Sequence, residues 1–284
     1  MAEATLLDRL GPGDHACLVY DDELLWARSL AAFIRSGLRQ HHRILYCGKD
    51  AGRLAPVLAG QGVDVTAAVR DGQLTVAGAE AAYLPAGVFD PVASLAGWAG
   101  EVEAARAAGY RGMRGIGDMS WACRDIGIDQ LSWYESQVNR ICVDGFTTGL
   151  CLYDRRLFDE PALRRVTREH PATITRHTDP SRIPLLRAVR AGEHGLRLSG
   201  EADLSNRQAL SAVLEHLLED SPATRPRVTL DVTDLRFADS AAARILLAPA
   251  ATGGHRLDVV GCSASLRRLL DFHWAGPAGR LWIR

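Results

Sequence analysis

Gly112-Met113-Arg114-Gly115-Ile116-Gly117-Asp118 is the stretch whose reading decides the fold. The run is too short for a helix, and its glycines suit a strand that neighbouring backbone approaches closely. Residues 92–108 before it are alanine-rich and helical, closing at Gly109. After it, Leu131, Tyr134, Val138 and Ile141 fall on one helical face, followed by a strand over 148–153 and a helix over 160–169. Upstream, Cys17-Leu18-Val19-Tyr20 is a strand ending at Asp21-Asp22. Trp26, Leu30, Phe33, Ile34 and Leu38 then keep helical spacing as far as Gln40. Ile44-Leu45-Tyr46-Cys47 is another strand, residues 51–60 another helix, and Leu74-Thr75-Val76 a third short strand. Alternation of this kind predicts a parallel sheet with helices on both faces.

The pattern changes after His170-Pro171. Prolines 171, 180 and 184 lie in a polar stretch that reads as a linker over 173–187, separating a domain over 1–172 from one over 188–284. Ser205 with Gln208 has the spacing of a capping box, opening a helix with Leu210, Val213, Leu214 and Leu217 inward. Val228, Leu230 and Val232 alternate with polar residues as in a half-buried strand. A helix over 240–250, a strand over 257–260, a helix capped by Ser263 and a strand over 281–283 complete a small α/β unit.

The length of 284 residues suits two domains at roughly 100–200 residues each. The net charge of −1 argues against direct nucleic-acid binding by bulk charge. Lys49 is the only lysine, so all but one of the 33 basic residues are arginine. No apolar run reaches the roughly 18 residues of a membrane span, and the N-terminus has no secretory pattern. Cysteines 17, 47, 123, 142, 151 and 262 form no close CxxC pair, which fits thiols in a reducing cytoplasm.

Two places carry candidate chemistry. Ser240 follows a strand and opens a helix, where unpaired N–H groups and the helix dipole favour negative charge. A phosphate there adds about −1.5 to −2 charge beside Asp239. The alternative is an ordinary helix cap. In the first domain, His15 and Cys17 are soft ligands on one short segment, with Cys47 and Cys123 placed to approach at neighbouring strand ends. The alternative has the cysteines as small core residues and His15 as a hydrogen-bonded core histidine. Glu135 and Asn139, one helical turn apart, line either a crevice or a solvated face. Trp98, Trp121 and Trp133 suit core or rim better than a ligand cage. The sequence assigns no cofactor.

Gly200-Glu201-Ala202-Asp203, the strand over 228–232, DLRFADSAAARILL from Asp234 and LDVVGCSASLRRLLDF from Leu257 resemble the STAS domain of anti-sigma-factor antagonists. The resemblance spans nearly all of residues 188–284. It implies phosphorylation of Ser240 by a partner kinase that is an anti-sigma factor, with Asp203, Asp239 and Ser240 at the partner surface. Ala241-Ala242 departs from the family's Ser/Thr-Gly. Gly13-Asp14-His15-Ala16-Cys17-Leu18-Val19-Tyr20, Gly117-Asp118-Met119-Ser120-Trp121, Cys151-Leu152-Tyr153-Asp154-Arg155-Arg156 and the Glu135/Asn139 pair resemble the MEDS sensory domain over residues 8–172. That resemblance implies a degenerate RecA-like fold and a small-molecule ligand, with His15, Cys17, Asp118, Glu135 and Asn139 as candidate ligand-binding residues.

A nucleotide-hydrolysing site needs a glycine-rich loop and a lysine after the first strand. The chain offers Asp21-Asp22-Glu23, whose carboxylates repel a triphosphate. The expectation is a non-enzymatic cytoplasmic regulator whose sensory domain governs phosphorylation-sensitive binding of an anti-sigma factor or serine kinase. A RecA-like nucleotide-binding protein with a STAS accessory and a metal or redox sensor are the alternatives.

Overall fold

The computed structural model describes residues 7, 10–48, 51–123, 126–175, 185–220, 227–251 and 254–284. The first sheet contains β1 (His15–Tyr20), β2 (Arg43–Gly48), β3 (Leu74–Gly78), β4 (Met113–Asp118), β5 (Thr147–Asp154) and β6 (Ala172–Thr175). All pairings are parallel, in the order β3-β2-β4-β5-β1-β6. The connecting helices are α1 (Glu23–Arg39), α2 (Leu54–Gly60), α3 (Thr66–Arg70), α4 (Ala79–Tyr83), α5 (Pro91–Ala107), α6 (Ile128–Cys142) and α7 (Glu160–Thr167).

Period-2 alternation sorts the strand side chains between two cores. Ala16, Leu18, Ile44, Tyr46, Ile116, Leu150 and Leu152 pack with Leu30, Phe33 and Ile34 of α1. Cys17, Leu45, Cys47, Met113, Cys151 and Tyr153 pack with Val102 of α5, Leu131 and Tyr134 of α6, and Leu163 and Val166 of α7. The sheet is therefore covered on both faces, as the strand–helix alternation predicts. The glycines of β4 serve a different purpose from the one expected. A Cβ at Gly115 would stand 2.8 Å from the Trp98 ring, and one at Gly117 would stand 2.8 Å from the Tyr83 hydroxyl. They admit aromatic side chains, not backbone.

Two further expectations are corrected. Residues 172–175, read as the start of a linker apart from Ala172, are the edge strand beside β1, and Leu186–Arg190 forms β7 of the second sheet. Residues 176–184 lie outside the described residues. The capping box at Ser205 does not form. The Asp203 carboxylate accepts from the Ser205 amide and hydroxyl, at 2.8 and 2.6 Å, so the hydroxyl is engaged in a local turn.

The second sheet adds β8 (Gly195–Ala202), β9 (Arg227–Ala238), β10 (Arg256–Val260) and β11 (Leu281–Ile283), in the order β11-β10-β9-β8-β7. Only β7 and β8 are antiparallel. Val228, Leu230 and Val232 turn inward as the alternation predicts. They meet Leu210, Val213, Leu214 and Leu217 of α8 (Arg207–Glu219), Leu246 and Leu247 of α9 (Ser240–Ala251), and Leu266 and Leu270 of α10 (Ala264–His273). Ser263 caps α10, accepting from the Leu266 amide at 3.2 Å.

The two domains share a worked contact. Val143, at the end of α6, is part of the second domain's core, and its carbonyl accepts from the Arg190 amide at 2.7 Å. Arg140 of α6 reaches Glu219 at 3.2 Å, and both Arg140 and Arg190 pair with Asp220. Arg187 Nε donates to the buried Asp14 carboxylate at 2.6 Å.

Gly200 lies where the β8–β9 register shifts, at φ +90°, and a Cβ there would stand 1.8 Å from the Leu185 carbonyl oxygen. Gly200→Ala is expected to cost about 2–4 kcal/mol through backbone strain and overpacking together. A urea unfolding curve checks this, with a lower midpoint at unchanged slope as the expected result.

Candidate functional site

The buried face of α6 places Glu135 and Asn139, one turn apart, against the sheet, and both are inaccessible to solvent. Opposite them stand His15, the first residue of β1, and Cys151 and Tyr153 of β5. His170, just before β6, closes the group and is also fully buried. The His15 ring fits because residue 149 is glycine. A Cβ there would stand 2.9 Å from His15 Cδ2.

The hydrogen bonds fix the orientation of each group. Asn139 Nδ2 donates to the carbonyls of Glu169 at 2.8 Å and Ser136 at 3.1 Å, which turns its Oδ1 toward His15. An amide oxygen only accepts, so His15 Nδ1, 3.0 Å away, carries the proton. His170 Nδ1 lies 2.8 Å from the Val166 carbonyl and carries its proton for the same reason. Both histidines therefore turn Nε2 inward. Glu135 Oε1 accepts from the Tyr153 hydroxyl. Its Oε2 lies 3.3 Å from Cys151 Sγ, 3.4 Å from His170 Nε2 and 3.6 Å from His15 Nε2.

Electrostatics follow from this burial. Desolvation, reinforced by His170, drives the His15 imidazole down to about 3, so the ring is neutral at neutral pH. Burial opposes ionisation of Glu135, but the neighbouring His170, His15 and Tyr153 outweigh it and hold the carboxyl below its usual range. Burial, then the Glu135 charge, pushes the Cys17 and Cys151 thiols up. An apolar cavity of about 30 Å³ adjoins Cys151, bounded by Tyr83, Trp98, Tyr134 and Ile141. It has room for about one water-sized molecule.

Of the residues singled out in sequence, His15, Glu135 and Asn139 come together. Cys17 lies on the same face, but its neighbour in register, Cys151, brings the sulfur to Glu135. Asp118, the last residue of β4, is level with Leu152 but lies on the face of the sheet opposite the Glu135 cluster, the one Tyr46 and Ile116 occupy. There it accepts from the Ser120 hydroxyl at 2.6 Å and the Tyr46 hydroxyl at 3.2 Å. Cys47 is packed in the core and Cys123 is half-buried, both apart from the Glu135 cluster. Trp98 borders the cavity, Trp121 stacks on Tyr83 and Trp133 is exposed. Cys151 and Tyr153 lie in the motif over 151–156 but carry no candidate role in the sequence, and His170 carries none, because a cysteine and tyrosine in an all-buried strand and a histidine before proline give no periodic signal. Beyond β1, the Asp22 carboxylate occupies the start of α1, accepting from the Leu25 amide at 2.7 Å.

In the second domain Asp239, not Ser240, caps α9, accepting from the Ala242 amide at 2.7 Å. Ser240 is the first helical residue and is exposed. Asp239 and Asp203 border one groove of about 660 Å³ that is lined as well by the exposed Leu204 and Phe237 and, from the first domain, by Arg164 and Arg168.

A buried polar centre in a parallel-sheet domain, joined to a small mixed-sheet domain with an exposed serine at a helix start, defines a two-module α/β protein. The family described as "MEthanogen/methylotroph, DcmR Sensory domain" (MEDS) matches residues 14–171, and the chain belongs to it. The family described as "Mlab, STAS domain" matches residues 187–272. Among solved structures, the flagellar accessory protein FlaH from Methanocaldococcus jannaschii is 12% identical, over 64% of this chain and 75% of its own, with a TM-score of 0.38. PH0250 from Pyrococcus horikoshii OT3 is 10% identical, over 64% and 90%, with a TM-score of 0.43. The anti-sigma factor antagonist SpoIIAA in its unphosphorylated form is 15% identical, over 35% and 86%, with a TM-score of 0.27. No curated protein matches. No described helix is long and apolar enough to cross a membrane.

Asn139→Leu keeps the branched shape of the side chain, though with bulkier ends, and strands the His15 Nδ1 proton and the Glu169 carbonyl. The expected loss is about 2–4 kcal/mol of stability. Chemical denaturation measures it, and a loss under about 0.5 kcal/mol would contradict this account of the hydrogen bonds.

Proposed function

We propose that this protein is a non-enzymatic cytoplasmic signalling regulator. In this reading its MEDS domain takes up a signal, and its STAS domain binds an anti-sigma factor or serine kinase according to the phosphorylation state of Ser240. The observation that carries the reading is the placement of Ser240. It is exposed, it needs no rearrangement to reach a kinase, and Asp239 performs the capping that the fold requires. A phosphate at the first turn of α9 is tolerated by the helix dipole, while about −1.5 to −2 units of charge arrive beside Asp239 and the groove. A partner that fits the groove formed by Leu204, Phe237, Asp203, Asp239, Arg164 and Arg168 meets that added charge at its edge.

The domain contact supports transfer of a signal. One helix, α6, presents Glu135 and Asn139 to the buried centre and sends Arg140 to Glu219 and Asp220 of the second domain. Pro171, beside His170, accepts at its carbonyl from Asn206 Nδ2 at 3.4 Å. A change around Glu135 therefore has two short routes to the STAS domain. Nucleotide hydrolysis is not part of the reading. The acidic turn after β1 repels a phosphate, and the Asp22 carboxylate already seated on α1 takes the Leu25 amide that would otherwise bind one.

Capture of partners from the native host by wild type, Ser240→Ala and Ser240→Asp tests the switch. Ser240→Asp is expected to weaken capture at least tenfold with thermal stability unchanged, while Ser240→Ala binds as wild type and resists phosphorylation. Equal capture by Ser240→Asp, together with a cognate kinase leaving Ser240 unmodified, would falsify the proposal.

A further inference from the structure

The geometry points to a tetrahedral metal centre in the first domain, in which His15, Glu135, Cys151 and His170 hold one divalent transition-metal ion of the zinc class. Their donor atoms lie within 4.8 Å of one another, and all four side chains are buried. Four of the six separations are 3.3, 3.4, 3.4 and 3.6 Å. For metal–ligand distances of about 2.0–2.1 Å to nitrogen and oxygen and 2.3 Å to sulfur, tetrahedral edges are about 3.3–3.6 Å.

The outer contacts are those a metal site needs. Each histidine gives its Nδ1 proton to an acceptor that has no proton to offer, Asn139 Oδ1 or the Val166 carbonyl. Nε2 of a neutral ring is then a lone pair, and in both rings it faces the Glu135 carboxylate. Unprotonated Nε2 atoms set against a carboxylate in a dry interior repel it unless a proton or a metal ion stands between them. His170 Nε2 is buried with no hydrogen-bond partner. Tyr153 holds Glu135 Oε1, leaving Oε2 as a single donor. A divalent ion with one carboxylate, one thiolate and two neutral imidazoles sums to zero charge, the balance a buried site favours. Two imidazoles, a carboxylate and one thiolate suit a borderline-soft ion better than calcium or magnesium.

With four protein donors the ion joins β1, β5, α6 and the segment before β6. This inference goes beyond the proposed switch and is independent of Ser240.

The test uses the full chain, untagged, purified anaerobically from zinc-supplemented cells. Elemental analysis is expected to find about one metal ion per chain, and X-ray absorption one sulfur at about 2.3 Å among nitrogen and oxygen neighbours. Cobalt(II) added to the apoprotein is expected to give intense visible bands and a thiolate charge-transfer band. Cys151→Ser should abolish that band and His170→Gln should weaken binding at least tenfold, while Cys142→Ser and Cys262→Ser retain both. The absorption measurement on wild type decides the matter even if a variant fails to fold. No stoichiometric metal with no cobalt bands in folded protein, or a bound metal lacking sulfur, overturns the inference.

Discussion

A carboxylate with no access to water sits at the base of the interface between sheet and helix, and much of the first domain answers to it. An isolated buried charge costs several kcal/mol even after the protein relaxes. Glu135 is accordingly surrounded on every side: by the Tyr153 hydroxyl, the Cys151 sulfur and two imidazoles. Those partners come from β1, β5 and the approach to β6, so satisfying one side chain fixes how three chain segments meet α6. Asn139 repeats the logic a turn later by holding the His15 ring and the Glu169 carbonyl. Gly149 is the vacancy that lets the His15 ring take its place.

The same helix is the hinge between the two domains' chemistry. Its buried side belongs to the polar centre, and its far end delivers Val143 into the second core and Arg140 to an acidic pair on α8. Val143 apart, the buried residues of the second core are the second domain's own, brought together by α8, α9 and α10 over an alternating sheet. What it receives from the first domain is orientation. Arg187 and Arg190 leave β7 in the direction of Asp14 and Val143, so the strand that opens the second sheet is also the one clamped to the first.

Much of this was legible in the residues. Strand–helix alternation exposed the parallel sheet, and the alternation of Val228, Leu230 and Val232 exposed the inner face of the second. Glu135 and Asn139 could be paired by their helical spacing, although spacing alone does not tell a buried polar pair from a solvated one. Two elements escaped for definite reasons. The edge strand over 172–175 hides beside Pro171, whose missing N–H suggests a break, yet an edge strand tolerates such a neighbour. The capping box failed because Asp203 competes for the Ser205 hydroxyl with a shorter-range turn. The sulfur at the centre was not recoverable either. Cys17 and Cys151 stand side by side on one face of the sheet, and which of them lies against Glu135 depends on where α6 crosses it, which no local pattern encodes.

The junction between the domains is built from arginine forks on carboxylates: Arg140 and Arg190 on Asp220, and Arg187 on Asp14. In each of these pairs among the described residues the cation is a guanidinium and not an ε-amino group. Lysine acetylation therefore has no purchase on these pairs. Amine-reactive cross-linkers are likewise blind to them, whereas carboxylate- or guanidinium-directed reagents would report on them directly.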